Sequence, residues 1–201
     1  MNKGICIFGG SFDPVHKGHK KLALFICKTL FLKKMLIIPA ALSPFKNTSG
    51  ASAEDRMKMC SLCFNEDIFE VSDIEISRGG KSYTVDTVKA VKELYPDEKL
   101  YLLIGSDQLL SFNKWYKFEE ILENVTLVAV SRENGEKKKE MEEFAEKNLA
   151  PFGKYLILDF EPFIVSSTEI RKKAAENENI DFFVEKEVAE YILSEGLYKN
   201  E

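Results

Sequence analysis

Along the chain, short runs that are almost entirely apolar alternate with longer stretches in which apolar residues recur every three or four positions. The runs are Ile5-Cys6-Ile7-Phe8, Met35-Leu36-Ile37-Ile38, Leu100-Tyr101-Leu102-Leu103-Ile104, Thr126-Leu127-Val128-Ala129-Val130 and Tyr155-Leu156-Ile157-Leu158. Each is apolar on both of its alternating faces, the mark of parallel-sheet strands covered on both sides. Helical spacing fills the intervals 17–31, 53–64, 85–94, 118–123 and 136–148. This alternation implies right-handed crossovers and an α/β fold built on a doubly wound parallel sheet. From Ser166 the segments STEIRKKAAE and VEKEVAEYILSEGLY are helical again, with Gly196 as a stop signal. They predict a small C-terminal helical extension, about 166–201, on a chain read as one domain, 1–201. Ligands of such sheets bind beyond the carboxyl ends of the strands, so functional residues are sought there.

Composition narrows the classes. The 201 residues are 45% hydrophobic and 30% charged, as in an ordinary globular chain. No apolar run approaches the ~20 residues that span a bilayer. The N-terminal apolar stretch is too short for a secretory signal, and a cytoplasmic location without a membrane partner is expected. A net charge of −5 argues against nucleic acid as a partner. Cys6 falls in a strand run and Cys27 in a helical one. Cys60 and Cys63 form C-x-x-C on an amphipathic helix with no second pair and no nearby histidine, so buried thiols are expected, and no protein metal site. The segment EKKKEMEEFAEK reads as a solvated helix face.

The candidate chemistry is concentrated in GGSFDPVHKGH, residues 9–19, which follows the first strand and holds both histidines of the chain. Gly9 and Gly10 let a ligand approach the main chain. His16 and His19 fall in the first turn of the following helix, on one side of it. A helix N-terminus offers free N–H groups and partial positive charge to a phosphate. Lys17, Lys20 and Lys21 add like charges there, which suggests that an anion is expected. Farther on, Val165-Ser166-Ser167-Thr168-Glu169-Ile170-Arg171 carries an N-cap, a potential capping box through Glu169, and a guanidinium one turn into a helix.

These two stretches resemble the signatures of the nucleotidyltransferase superfamily that shares the (T/H)-x-G-H motif, which implies a Rossmann-like nucleotidyltransferase fold. Members transfer a nucleoside monophosphate from a triphosphate to a phosphate-bearing acceptor and release pyrophosphate. The resemblance implies that His16 and His19 are catalytic. It implies that Gly9, Gly10, Ser11, Phe12, Ser166, Ser167, Thr168 and Arg171 join them in binding ATP. Phosphate neighbours would favour the imidazolium forms. Mg2+ would accompany ATP, ligated mostly by phosphates and water.

Within the superfamily the chain is most similar to the nicotinate-nucleotide adenylyltransferases. Ser82-Tyr83-Thr84 resembles the S-Y-T segment whose amides meet the nicotinate carboxylate. Gly105-Ser106-Asp107 resembles a G-x-D whose aspartate contacts ribose. Lys114-Trp115-Tyr116 resembles a pair whose tryptophan stacks on the pyridine ring. The resemblance thus assigns Gly105 and Asp107 to ATP, and Tyr83, Thr84, Trp115 and Tyr116 to nicotinate mononucleotide. Read locally, Thr84 and Asp107 could instead cap helices and Trp115 could be core. Where the family has P-P-H-K/R, this chain has Ser43-Pro44-Phe45-Lys46, leaving Lys46 as the charge. Its usual Arg-Pro is Arg132-Glu133, with Arg132 as a further mononucleotide contact. Alternatives are a sibling enzyme acting on nicotinamide mononucleotide or pantetheine phosphate, one using a CTP donor, or a silent nucleotide-binding regulator. A homo-oligomer is left open.

Overall fold

The computed structural model describes residues 4–41, 50–131, 136–161, 163 and 165–199. Six strands form one parallel sheet: β1 Ile5–Gly10, β2 Lys34–Pro39, β3 Phe69–Val71, β4 Leu100–Gly105, β5 Thr126–Ser131 and β6 Lys154–Asp159. Their order is β3-β2-β1-β4-β5-β6, with Ile7 opposite Leu36 on one side and Leu102 on the other. The chain therefore winds outward from β1 to β3, then returns to start again at β4. The crevice between the carboxyl ends of β1 and β4 is the point of reversal where doubly wound sheets take ligands.

The helices are α1 Lys17–Thr29, α2 Ala53–Cys63, α3 Ile74–Arg78, α4 Thr84–Leu94, α5 Ser106–Leu109, α6 Phe118–Asn124, α7 Glu136–Asn148, α8 Ser167–Ala175 and α9 Lys186–Ser194. A 3₁₀ turn covers Phe112–Lys114. All five expected strands form, and each expected helix forms within a few residues. The first ends at Thr29 because Phe31 takes a left-handed backbone, φ 50°. The sequence reading did not include β3, α3 or α5, whose three to five residues are too short for a periodic signal.

Alternation along each strand divides the core in two. Cys6, Phe8, Met35, Ile37, Tyr101, Leu103, Val128 and Val130 face a cluster completed by α1, α2, α8 and α9. Ile5, Ile7, Leu36, Ile38, Leu100, Leu102, Leu127 and Ala129 face the cluster under α4, α6 and α7. Two buried faces explain why the strands read as unbroken apolar runs. Ile170 and Ala174 of α8 and Val188, Ala189 and Ile192 of α9 belong to the first cluster, so the C-terminal helices help build the core. All four cysteines are buried free thiols.

Candidate functional site

The stretch 9–19 leaves the central strand and turns at once into α1. His16 is the N-cap residue, in an extended conformation. The His19 N–H donates to His16 Nδ1 at 3.3 Å, and the His16 N–H donates to His19 Nδ1 at 3.2 Å. The two imidazoles thus form a reciprocal capping box, a task usually given to Ser or Thr with Glu. Their rings stack at 3.6 Å and 19°. An Nδ1 that accepts carries no proton, so this arrangement belongs to neutral rings whose donor nitrogen is Nε2. The imidazolium forms are expected of the phosphate-bound complex. Protonation at Nδ1 would break both caps and set two cations face to face.

Around the pair the packing is close. A Cβ on Gly18 would lie 3.0 Å from His16 Nδ1 and 3.2 Å from Val165 Cγ1. Phe12 is buried with a left-handed φ of 49°, its ring edge-on to His19 at 5.1 Å and to Phe8 at 5.4 Å. A Cβ on Gly10 would meet that ring at 3.1 Å. Gly9 differs: a Cβ there would meet only Ile38 O, at 3.9 Å. The space above Gly9 is open, and it lines the cleft with Gly10 and Ser11.

The three neighbouring lysines correct the expectation of an anion-collecting cluster. Lys17 Nζ donates to Asp181 O at 2.7 Å. Lys20 pairs with Glu66 at 3.1 Å and Glu185 at 3.9 Å. Lys21 lies over the Phe163 ring at 4.2 Å. Their positive ends tie α1 to the segment after α2 and to later parts of the chain, which explains why the helix tolerates them.

The second motif docks directly on the first. Arg171 Nη1 donates to Asp13 O at 2.7 Å, and Ser167 Oγ donates to Pro14 O at 2.9 Å. Ser166 caps α8 by accepting from Glu169 N–H at 3.1 Å. Glu169 completes no capping box here. Thr168 is exposed and its hydroxyl meets Arg171 Nη2 at 3.4 Å. The N-termini of α1 and α8 thus converge on one turn.

Two residues that the motifs did not single out hold that turn from behind. The Asp13 carboxylate, 5% exposed, accepts from Gly50 N–H at 2.8 Å, Ala51 N–H at 3.2 Å and Tyr198 O–H at 2.9 Å. Burial and the adjacent carboxylate push the Tyr198 phenol far up. Arg56, 3% exposed, donates through Nη1 to Ser11 O at 2.9 Å and Ala40 O at 2.7 Å. A buried guanidinium among carbonyls was visible in sequence only as one of several charged positions on α2.

On the other side of β1 and β4 lies a cleft lined by Gly9–Ser11, Ala40, Glu75, Ser82, Thr84, Thr87, Gln108 and Trp115. It shares Ser82, Thr84 and Trp115 with a second cleft that adds Tyr83, Lys114 and Tyr116. The S-Y-T and K-W-Y segments are therefore brought together as expected. Tyr83 and Tyr116 meet at 5.1 Å. Trp115 packs on Phe112 at 4.9 Å against the core and also lines both clefts. Thr84 is the first residue of α4, not its cap, and no side chain caps that helix.

Asp107 sits on the rim, its side chain 88% exposed, 3.2 Å from Lys137. Gln108 supplies the turn instead, accepting from Gly105 N–H at 2.8 Å, and lines the cleft. Lys46 and Arg132 lie outside the described residues. Among the described residues no group of three or more His, Cys, Asp or Glu could hold a metal ion, and no helix is long and apolar enough to cross a membrane.

With this geometry in hand, comparison with known proteins is informative. Residues 7–173 match the cytidylyltransferase-like family. A protein of Caldicellulosiruptor saccharolyticus described as a probable nicotinate-nucleotide adenylyltransferase is 35% identical over 198 residues, covering 97% of this chain and 98% of the relative. One so described from Aquifex aeolicus is 46% identical over 128 residues, 63% of this chain and 76% of the relative. Among solved structures, Plasmodium falciparum nicotinic acid mononucleotide adenylyltransferase complexed with NaAD superposes with a TM-score of 0.79 at 22% identity. It covers 98% of this chain and 97% of that one. At that identity the likeness is one of fold.

Proposed function

The chain belongs to the cytidylyltransferase-like family and within it to the nicotinate-nucleotide adenylyltransferases, and from that membership we propose that it adenylylates nicotinate mononucleotide with ATP. The products are nicotinate adenine dinucleotide and pyrophosphate, and we place the reaction in the cytoplasm. A mononucleotide phosphate oxygen attacks the α-phosphorus in line. The new O–P bond forms as the bond to the β-phosphate bridging oxygen breaks, and the electron pair leaves on pyrophosphate. The attacking phosphate is already anionic, so no general base is needed, and catalysis is positioning with charge stabilisation.

The observation that carries this reading is the contact between the two phosphate motifs, Arg171 on Asp13 O and Ser167 on Pro14 O. It gives a triphosphate two helix N-termini, a guanidinium and two imidazole Nε2 donors in one place. Gly9, Gly10 and Ser11 form its floor, and Gly105 with Asp107 forms the rim for the adenosine. The uncapped start of α4 offers its N–H groups to a carboxylate beside Trp115, a surface for a pyridine ring. Mg2+ enters with ATP as part of the substrate. The donors here are N–H and O–H groups suited to phosphate oxygens, and Asp13 is committed to three donors of its own. The residues present therefore do not fit a protein-held metal.

Pyrophosphate release measured with ATP against nicotinate mononucleotide, nicotinamide mononucleotide and pantetheine phosphate tests the proposal. Nicotinate mononucleotide is expected to give the highest kcat/KM. His19→Ala should lower turnover with it by about 100- to 1,000-fold, as for one lost oxyanion donor. Turnover with another acceptor and none with nicotinate mononucleotide would overturn the reading.

A further inference from the structure

The reaction as described leaves one buried charge in the cleft without a use. Glu75, 7% exposed, lines the cleft floor between the S-Y-T segment and the glycine turn. Its Oε1 accepts from Thr87 O–H at 2.6 Å. Among the described residues no ion pair is formed by this carboxylate, and the exposed Arg78 reaches it only through the same hydroxyl, at 3.2 Å from Thr87 Oγ1. The guanidinium is thus held one hydroxyl away from the carboxylate, and a buried carboxylate not in direct contact with a cation favours one brought against it in the cleft.

We infer that Glu75 is the counter-charge for the pyridinium ring of the mononucleotide, and so determines that an oxidised, cationic ring is bound. This rests on the function proposed above. The nicotinate group is a zwitterion: a carboxylate on the ring and a positive ring nitrogen bonded to ribose. Helix α4 presents a receiver for each end. Its uncapped N-terminus at Thr84 suits the carboxylate, and Thr87, three residues on and so about 4.5 Å along the axis, holds Glu75. That spacing is of the order of the separation between the ring's own charges. Trp115 lines the same cleft and favours a cationic ring for the same electrostatic reason. The ribose and phosphate then run from the ring nitrogen past Glu75 toward Gly9–Ser11 and the histidines.

The test compares nicotinate mononucleotide with its reduced dihydropyridine form, whose ring is neutral while its ribose, phosphate and carboxylate are unchanged. The ratio of kcat/KM for the two acceptors, taken on one preparation, does not depend on the folded fraction. Wild type is expected to prefer the oxidised form. Glu75→Gln keeps an acceptor for Thr87 but removes the charge, and should lower that preference about tenfold. Thr87→Val breaks the same contact between α3 and α4 but leaves the charge, and should retain the preference. An unchanged ratio in Glu75→Gln overturns the inference, as does an equal fall for both acceptors, which would assign Glu75 to the ribose or to structure. A Thr87→Val enzyme that loses the preference overturns it too. Absence of wild-type turnover with nicotinate mononucleotide would instead overturn the function on which it rests.

Discussion

Gly18 separates His16 from Val165 by the width of a missing methyl group. In α1 an alanine there would gain about 1 kcal/mol of helix propensity. Its Cβ would nevertheless stand 3.0 Å from His16 Nδ1, so the ring or the α8 loop must give by a few tenths of an ångström. Gly18→Ala should therefore lower kcat/KM by roughly tenfold, less than the ~100-fold cost of a full 1 Å misplacement. Its Tm should shift by only a few degrees, because the propensity gain offsets part of the crowding. Calorimetry and initial rates on the same sample check both. At this scale the sequence was readable where a residue type has few other uses, as with two close histidines behind glycines. It misled where a residue has many. Lys17, Lys20 and Lys21 read as an anion cluster, yet their partners, Asp181, Glu66, Glu185 and Phe163, come from segments distant in sequence. Glu75 carried no signal, since it lies on α3, whose five residues are too few to show a period.

Helix α8 joins the site by its first turn and by Arg171 just beyond it. Ser167 gives its hydroxyl to Pro14 O, while Ser166 spends its own on the cap. Ser167→Ala leaves the cap intact and removes one contact worth about 1 kcal/mol, or roughly fivefold in an equilibrium constant. The KM for ATP should rise by about that factor with the KM for the mononucleotide unchanged, as steady-state titration of each substrate would reveal. Equal effects on both would show that α8 serves the whole site. The uncapped α4 makes the complementary point. A missing side-chain cap was not legible in Ser82-Tyr83-Thr84, because threonine is itself a good cap residue. Only the position of Thr84 inside the helix decides it.

Over the whole molecule, burial stores protons. It pushes Cys27 and Cys63 from their usual 9.0 up to about 12, and raises Cys6 and Cys60 as well. The hydrogen bond to Asp55 raises Tyr191 to about 12, and burial raises Tyr198. The folded chain thus holds protons that the unfolded chain releases. Stability from these groups is complete below pH ~9 and is lost as pH rises toward 12, at up to ~1.4 kcal/mol per pH unit for each buried thiol and less for Tyr191, whose bond to Asp55 is screened by solvent. Thermal unfolding at pH 8 to 11 should show a steepening fall in Tm, and a flat profile would contradict it. The doubly wound architecture was legible because two covered faces leave their mark on every strand. The docking of α8 and α9 was not, since contacts across such distances leave no local pattern.

The bond between Tyr198 and Asp13 links residues 185 positions apart. A ribosome adding roughly 5–20 residues per second takes about 10–40 s to travel from one to the other. Throughout that interval the glycine–histidine turn exists without the hydroxyl that completes its buried carboxylate. A growing chain therefore lacks the Ser167, Arg171 and Tyr198 contacts at that turn until its last helices emerge, and any fragment ending short of residue 198 should leave Asp13 without the Tyr198 hydroxyl.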